Sequence, residues 1–368
     1  MSRVAARYGA INLAQGMPDF PMPAPMKEAA CTAIRGDVNQ YAITWGAAPL
    51  RLALAEKYRR FYGMDVDPEA EITVTCGATE AMAAAFLAMF DEGDEVIIPE
   101  PFYENYGPDA VLAGARPVFV PLDPPHWRLD VERVRQAVGP RTRAIILNTP
   151  HNPTGRVFSR AEVEGLAALC VEHDLRVITD EPYEHMIYSG HHHAIAGMPG
   201  MHERTVTISS LSKTFSCTGW RIGWAIAPPV LTEAIRKVHD FLTVGAPAPL
   251  QAAAAVGMAF DPEYYNRLTS DYRIRRDLLC TALREAGFTF TVPEGAYYVL
   301  ADFSGLSDRS DTEFAHWLAS ETGVATVPGS SFRQRGTTGV TNVRFAFCKS
   351  LETLQLAADR LATVPQAV

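Results

Sequence analysis

Between Glu71 and Ala227 short β-like runs alternate with helix-like runs, and this alternation restricts the fold more than any other feature. Ile72 to Cys76, Glu95 to Ile98, Pro117 to Pro121, Arg143 to Asn148, Arg176 to Asp180, Thr205 to Ser209 and Gly223 to Ala227 read as strands. Helical stretches such as Glu80 to Phe90 separate them, and Ser159-Arg160-Ala161-Glu162 has capping-box spacing. The pattern predicts an α/β architecture, a mostly parallel central sheet with helices on both faces. Ligands of such sheets sit beyond the carboxyl ends of the strands, so function is sought in the residues that succeed each run.

Three of those strand ends carry polar groups. After Ile72 to Cys76, the amides of Gly77, Ala78 and Thr79 face outward at a helix start, a natural place for a phosphate. After Arg143 to Asn148, the prolines of Thr149-Pro150-His151-Asn152-Pro153-Thr154-Gly155 hold Asn152 in a defined turn. After Arg176 to Thr179 comes Asp180, with Tyr183 three residues on, at the end of a run too apolar to solvate a carboxylate. An unpaired buried carboxylate is costly, so Asp180 requires a cationic partner.

A further stretch, Ser210-Leu211-Ser212-Lys213, sets an amine between hydroxyls, and Arg221 comes eight residues after the lysine. On its own such a lysine is usually a solvated surface residue. In a partly apolar pocket its pKa falls and it can attack a carbonyl. Pyridoxal 5′-phosphate offers an aldehyde for the lysine and a phosphate for Ser210 and Arg221.

Outside this region, Ile11 to Phe20 reads as an irregular arm, Pro49 to Phe61 as an amphipathic helix, and Phe241 to Pro249 as a kinked apolar linker. Pro262 to Glu285 is a long helix. Phe290 to Val292, Gly295 to Asp302, Ser310 to Thr322 and Val340 to Phe347 are strand-like and helix-like pieces. These pieces suggest a smaller α+β domain, residues 1–30 and 258–368, beside a large domain of residues 31–257.

Composition narrows the function. A net charge of −9 with no long basic run argues against nucleic acid or an anionic membrane as partner. The six cysteines are scattered with no C-x-x-C pair, and no signal peptide or membrane span is read, so a cytoplasmic location is expected. His191-His192-His193 is not expected to bind metal, since adjacent imidazoles in a turn cannot readily converge on one ion.

Taken in order, Tyr41, Gly77-Ala78-Thr79, Tyr103, Asn152 in Asn-Pro-Thr-Gly, Asp180-x-x-Tyr183, Ser210-x-Ser-Lys213, Arg221 and Arg344 in Asn-Val-Arg-Phe-Ala-Phe resemble the class I/II aminotransferases. The resemblance, to a fold-type I pyridoxal-phosphate enzyme, spans roughly residues 11 to 350. Within the family it is strongest to the kynurenine, glutamine and methionine aminotransferase branch, which includes cysteine-conjugate β-lyases.

That resemblance implies a role for each of these residues. By it, Lys213 holds the cofactor as a Schiff base and then shuttles a proton. Asp180 pairs with the ring nitrogen, while Asn152 and Tyr183 hydrogen-bond the ring's phenolic oxygen. Tyr103, or Phe102 in its place, stacks on the ring. Ser210, Arg221 and the amides of Gly77, Ala78 and Thr79 hold the phosphate, joined by Tyr41 from a neighbouring subunit of a homodimer. Arg344 and Asn152 clamp the substrate carboxylate, with Gly16, Gly295 and Tyr298 bordering it. No metal is required.

The linker from His239 to Leu250 contains no Lys or Arg, so a distal carboxylate would lack a cation. A large neutral or aromatic amino acid is the expected donor, a 2-oxo acid the acceptor, and Phe20, Trp45, Phe241 and Phe332 the expected lining. Competing readings are a C–S β-lyase on the same fold and a non-catalytic effector domain of a transcription regulator. The first needs a different assay; the second is opposed by Lys213 and by the lack of room for a helix-turn-helix module ahead of the fold.

Overall fold

The computed structural model describes residues 1–364. The chain opens with α1 (Ser2–Tyr8), β1 (Ile11–Asn12), α2 (Ala24–Arg35) and α3 (Ala48–Tyr62). Next come β2 (Ile72–Thr75), α4 (Ala78–Met89), β3 (Glu95–Glu100), α5 (Tyr106–Leu112), β4 (Arg116–Pro121), α6 (Val131–Ala137), β5 (Thr142–Asn148) and α7 (Arg160–Glu172). They are succeeded by β6 (Arg176–Asp180), β7 (Thr205–Ser210), α8 (Leu211–Thr214), β8 (Gly223–Ile226), α9 (Pro229–Leu242), α10 (Ala248–Met258) and α11 (Pro262–Glu285). The chain closes with β9 (Tyr298–Asp302), α12 (Asp311–Trp317), β10 (Val324–Ala325), β11 (Val327–Pro328), β12 (Asn342–Ala346) and α13 (Leu351–Leu361).

All the strands expected between Glu71 and Ala227 join one sheet, in the order β2-β8-β7-β6-β5-β3-β4. From β7 to β4 every neighbouring pair is parallel, while β8 runs antiparallel to both β2 and β7. Because β8 is reversed, its first residue, Gly223, pairs with the last residues of its neighbours, Thr75 and Ser210. Arg221, two residues earlier, is thereby delivered to the end of the sheet where the parallel strands finish.

Strand side chains alternate between faces, so each strand feeds two cores. Val96, Ile98, Ile146 and Ile178 pack with Phe86 of α4, whereas Ile97, Ile145 and Val177 pack with Leu166 and Leu169 of α7. Each such buried side chain contributes about 1.5–3 kcal/mol. Helix α7 starts with the expected capping box, Ser159 and Glu162 each binding the other's backbone amide.

Three of the remaining strands, in the order β11-β12-β9, form a small antiparallel sheet whose core includes Leu279, Leu283, Phe288, Phe314 and Phe345. The arm departs from expectation: Ile11–Asn12 is a short strand parallel to Val324–Ala325, and the Leu13 carbonyl accepts from the Ala346 amide at 2.7 Å. Backbone pairing thus fixes a segment that looks irregular in sequence. Phe290 to Val292 forms no strand; only a single bridge joins Thr289 to Asp302 there. The helical run to Thr322 changes pitch after Trp317 into a π turn that ends at Gly323, φ 72°. The expected boundary at residue 31 falls inside α2, whose Met26 packs into a core shared with Leu50, Leu54 and Trp224. Residues 365–368 of the expected smaller domain lie outside the described residues.

Candidate active site

A cavity of about 570 Å³ lies at the carboxyl ends of the sheet, walled by Ala78, Thr79, Tyr103, Asn152, Asp180, Tyr183, Ser210, Lys213, Arg221, Arg344 and Gly16. Of the residues expected to hold the phosphate, Gly77 and Tyr41 do not line it. Gly77 sits behind the wall: φ is +83°, and a Cβ there would run into the Arg221 guanidinium. Gly223 is held as closely, for its Cβ would meet the Ala78 amide nitrogen at 2.5 Å. Two glycines therefore let α4, β8 and Arg221 converge at one point. Tyr41 is 82% exposed.

Three cations face this cavity, and none has an ion-pair partner among the described residues. Lys213 Nζ lies 3.5 Å from the Gly16 carbonyl and near the rings of Tyr183 and Tyr297, at 6.0 and 5.7 Å. Arg221 donates only to the carbonyls of Thr218 (3.0 Å) and Cys76 (3.4 Å). Buried Arg344 donates from Nη1 to Asn152 Oδ1 at 2.8 Å and from Nη2 to the Ala14 carbonyl at 3.0 Å, and its Nε has no partner. Tyr298 and Phe332 cover its guanidinium, with ring centroids 4.2 and 4.5 Å from Cζ. Cations left unneutralised beside a cavity favour an anionic ligand.

The acid opposite them is Asp180. One of its oxygens, Oδ2, accepts from Tyr106 at 2.6 Å; the other, Oδ1, is buried with no hydrogen-bond partner. Burial pushes its carboxyl up to about 6, against the opposing pull of Tyr106 and Lys213. Its direct partner is a phenol, where a cation was expected. Asn148, one register position across on β5, ties the turns together: its Nδ2 donates to the Asp180 carbonyl at 2.8 Å and its Oδ1 accepts from the Asn152 amide at 2.7 Å. Burial and neighbouring Tyr298 push the Tyr183 phenol well above its ordinary range, so it stays protonated and can donate; its oxygen is 3.1 Å from that of Tyr298.

These features fit pyridoxal 5′-phosphate. The orphaned Asp180 Oδ1 awaits a donor such as a protonated ring nitrogen. At the other end, the start of α4, Ser210 and Arg221 form a close-packed cradle for a phosphate.

Several expectations need correction. Gly295 does not border the cavity; its Cβ would strike Val157, Pro150 and the Met186 carbonyl, so it is a packing glycine. None of Phe20, Trp45, Phe241 and Phe332 lines the cavity of its own chain. Phe20 packs on Tyr272, Phe332 backs Arg344, Trp45 lies against Arg236, and Phe241 is 93% exposed. Tyr103 lines the cavity, while Phe102 is buried and stacked on Phe119. Tyr298 does line it, and Tyr106 and Asn148 are additions that no motif in the sequence marks.

The three consecutive histidines diverge. His191 is exposed, but the His192 side chain turns inward, its Nε2 2.8 Å from Glu181 Oε2. Glu181, Glu184 and His192 come close enough to suggest a cation site, yet Lys57 already supplies the cation, its Nζ 2.5 Å from Glu184 Oε1.

Known proteins resemble this chain over its whole length. The family model for aminotransferase class I and II matches residues 8–361. A probable N-succinyldiaminopimelate aminotransferase of Mycobacterium tuberculosis is 44% identical, covering 100% of this chain and 95% of that protein. Methionine aminotransferase of Escherichia coli is 41% identical, covering 98% and 94%. The solved structure of N-succinyldiaminopimelate aminotransferase from Mycobacterium tuberculosis matches with a TM-score of 0.96 and 45% identity, over 99% of this chain and 96% of that one.

Proposed function

The chain belongs to the class I and II aminotransferases, enzymes that on this fold use pyridoxal 5′-phosphate, and on that premise we propose that it moves the amine of a large neutral or aromatic L-amino acid to a 2-oxo acid by a ping-pong mechanism. The observation that carries the choice of donor is the charge around the cavity. Lys213, Arg221 and Arg344 are each committed in this reading, and the remaining acidic and basic side chains of the wall are two acids, Glu104 and Asp180. With no Lys or Arg from His239 to Leu250, a distal carboxylate finds no counter-ion.

When bound, the cofactor supplies an aldehyde for amines and a ring that draws electrons from the substrate α-carbon. The chain supplies the rest. Lys213 would hold the aldehyde through Nζ, and once the substrate amine displaces it that Nζ would take the proton from the substrate α-carbon. Asp180 Oδ1, buried without a partner, would accept from the ring nitrogen and keep it protonated. Asn152 and Tyr183 would donate to the phenolic oxygen, and Tyr103 would cover the ring face. Ser210, Arg221 and the amides of Gly77, Ala78 and Thr79 grip the phosphate. Arg344, steadied by Asn152, binds the α-carboxylate, with the Gly16 segment closing the wall.

A homodimer with shared sites belongs to the same reading. Tyr41, Ile43, Phe241 and Val244 are all exposed, and the Thr44 carbonyl accepts from His239 Nε2 at 2.8 Å, which brings the two segments together. This apolar patch suits a second copy, whose site would receive the partner subunit's Tyr41. In this reading residues 31–257 are the cofactor-binding domain and 1–30 with 258–368 the smaller one; the core of Leu279, Leu283, Phe314 and Phe345 supports the second, while Met26 and Tyr183 pack across the division. A cytoplasmic location is supported by six cysteines that are all unpaired.

The test is an absorbance-monitored half-reaction with each amino acid in turn. Methionine, glutamine, phenylalanine or kynurenine should react at least about tenfold faster than aspartate or glutamate; aspartate as best donor would refute the assignment. The 44% identity to an N-succinyldiaminopimelate enzyme favours a second reading, so that compound belongs in the same screen. Pyruvate and ammonia from cysteine conjugates would instead reveal a C–S β-lyase.

A further inference from the structure

We infer that Tyr106 is a positioning residue for Asp180: its phenol occupies Oδ2, fixes the plane of the carboxylate, and leaves Oδ1 as the single acceptor for the ring nitrogen of the cofactor. This rests on the assignment of Asp180 to that nitrogen under the proposed function. The hydrogen bond is 2.6 Å long, and Tyr106 is 2% exposed, so water cannot replace it. The ring is fixed by the first turn of α5 and by an edge contact with Tyr103, centroids 5.7 Å apart. Burial, and after it the charge of Asp180, drives the Tyr106 phenol well above its ordinary range, so it remains a neutral donor wherever the enzyme works.

The electrostatic need is plain. Asp180 loses its hydration in the wall, and desolvation favours the protonated acid, which could not keep a ring nitrogen cationic. Other groups acting on it are Lys213 from α8, which favours ionisation, and Glu181, next in the chain, which opposes it. Tyr103, Tyr183 and Asp109 lie within its field as well. Tyr106 is the one group that both stabilises the carboxylate and fixes its direction. A charge-assisted hydrogen bond in such surroundings is among the stronger polar interactions of a protein.

The experiment is a fluorescence titration of the full-length, cofactor-free chain with pyridoxal 5′-phosphate between pH 5 and 9, in wild type, Tyr106→Phe and Asp180→Asn. Tyr106→Phe should weaken cofactor affinity at pH 7 about tenfold and move the acid-side break in affinity up by about one pH unit. The acid limb of kcat/KM should move with it. An unshifted break and wild-type affinity in Tyr106→Phe, beside a damaged Asp180→Asn, would overturn the role of Tyr106. If Asp180→Asn itself behaves as wild type, the assignment of Asp180 fails instead. Should Tyr106→Phe not fold, 3-fluorotyrosine at position 106 keeps the volume and makes a stronger donor. The break must then move down, and an unmoved break counts against the inference.

Discussion

Arg344 Nη1 donates to Asn152 Oδ1 at 2.8 Å, a bond that joins the small sheet to the turn after β5 across 192 positions of sequence. It aims the guanidinium. With one amine on Asn152, another on the Ala14 carbonyl and the faces covered by Tyr298 and Phe332, Arg344 has no freedom to swing.

Arg344→Ala should therefore lower kcat/KM for amino acids about 100-fold, chiefly through KM, while the cofactor stays bound. Arg344→Lys keeps the charge and loses the fork, so it should recover only part of that loss. Steady-state kinetics beside the visible absorbance of bound cofactor separate the two effects.

The pH dependence of stability is tied to Asp180. Its carboxyl binds a proton more tightly when folded, about 6, than an unfolded aspartate, about 4. Its contribution is fully present below pH 4 and is lost as pH rises through 6. Without cofactor, Asp180→Asn should be more stable than wild type at pH 7, by an amount on the order of 2–3 kcal/mol, and equal to it at pH 4. Denaturant melts at the two pH values measure this. Asp109, raised to about 6 first by burial and then by Asp180, should behave alike in Asp109→Asn.

Gly77→Ala should damage the cradle. The position has φ +83°, and the new methyl would displace Arg221. Strain of about 1–2 kcal/mol should appear in the melt, with cofactor affinity falling at least tenfold; calorimetric titration reads the second directly.

Behind the site, burial pushes the Glu184 carboxyl up, but Lys57, 2.5 Å away, draws it down to about 2. Both side chains are 2% exposed. Lys57→Met would leave that charge buried and uncompensated, a loss of about 3–5 kcal/mol. A fall in melting temperature of more than about 5 °C is expected.

How legible the enzyme is in its sequence depends on which signal carries each part. The seven strands of the large sheet stand out because burial on both faces leaves most of them as apolar runs and turn residues close each run; their ends agree within about two residues. Asp180, Asn152, Ser210 and Lys213 are visible because each comes just after such a run. Tyr106 is not, since a tyrosine in an apolar helix reads as packing until a partner from strand β6 is known. Strand β1 escapes notice because a parallel pairing with residues over 300 positions away leaves no local pattern. The aromatics Phe20, Trp45 and Phe241 mislead for a related reason: composition shows that a ring exists, and only topology shows which way it faces.

Lys213 as the covalent anchor is the central claim, and one measurement reaches it directly. Protein incubated with pyridoxal 5′-phosphate should turn yellow, and after borohydride reduction and proteolysis mass spectrometry should find the added mass on the peptide that carries Lys213, with none on a Lys213→Ala variant. Label on another lysine, or a folded protein that takes up no cofactor, would contradict it.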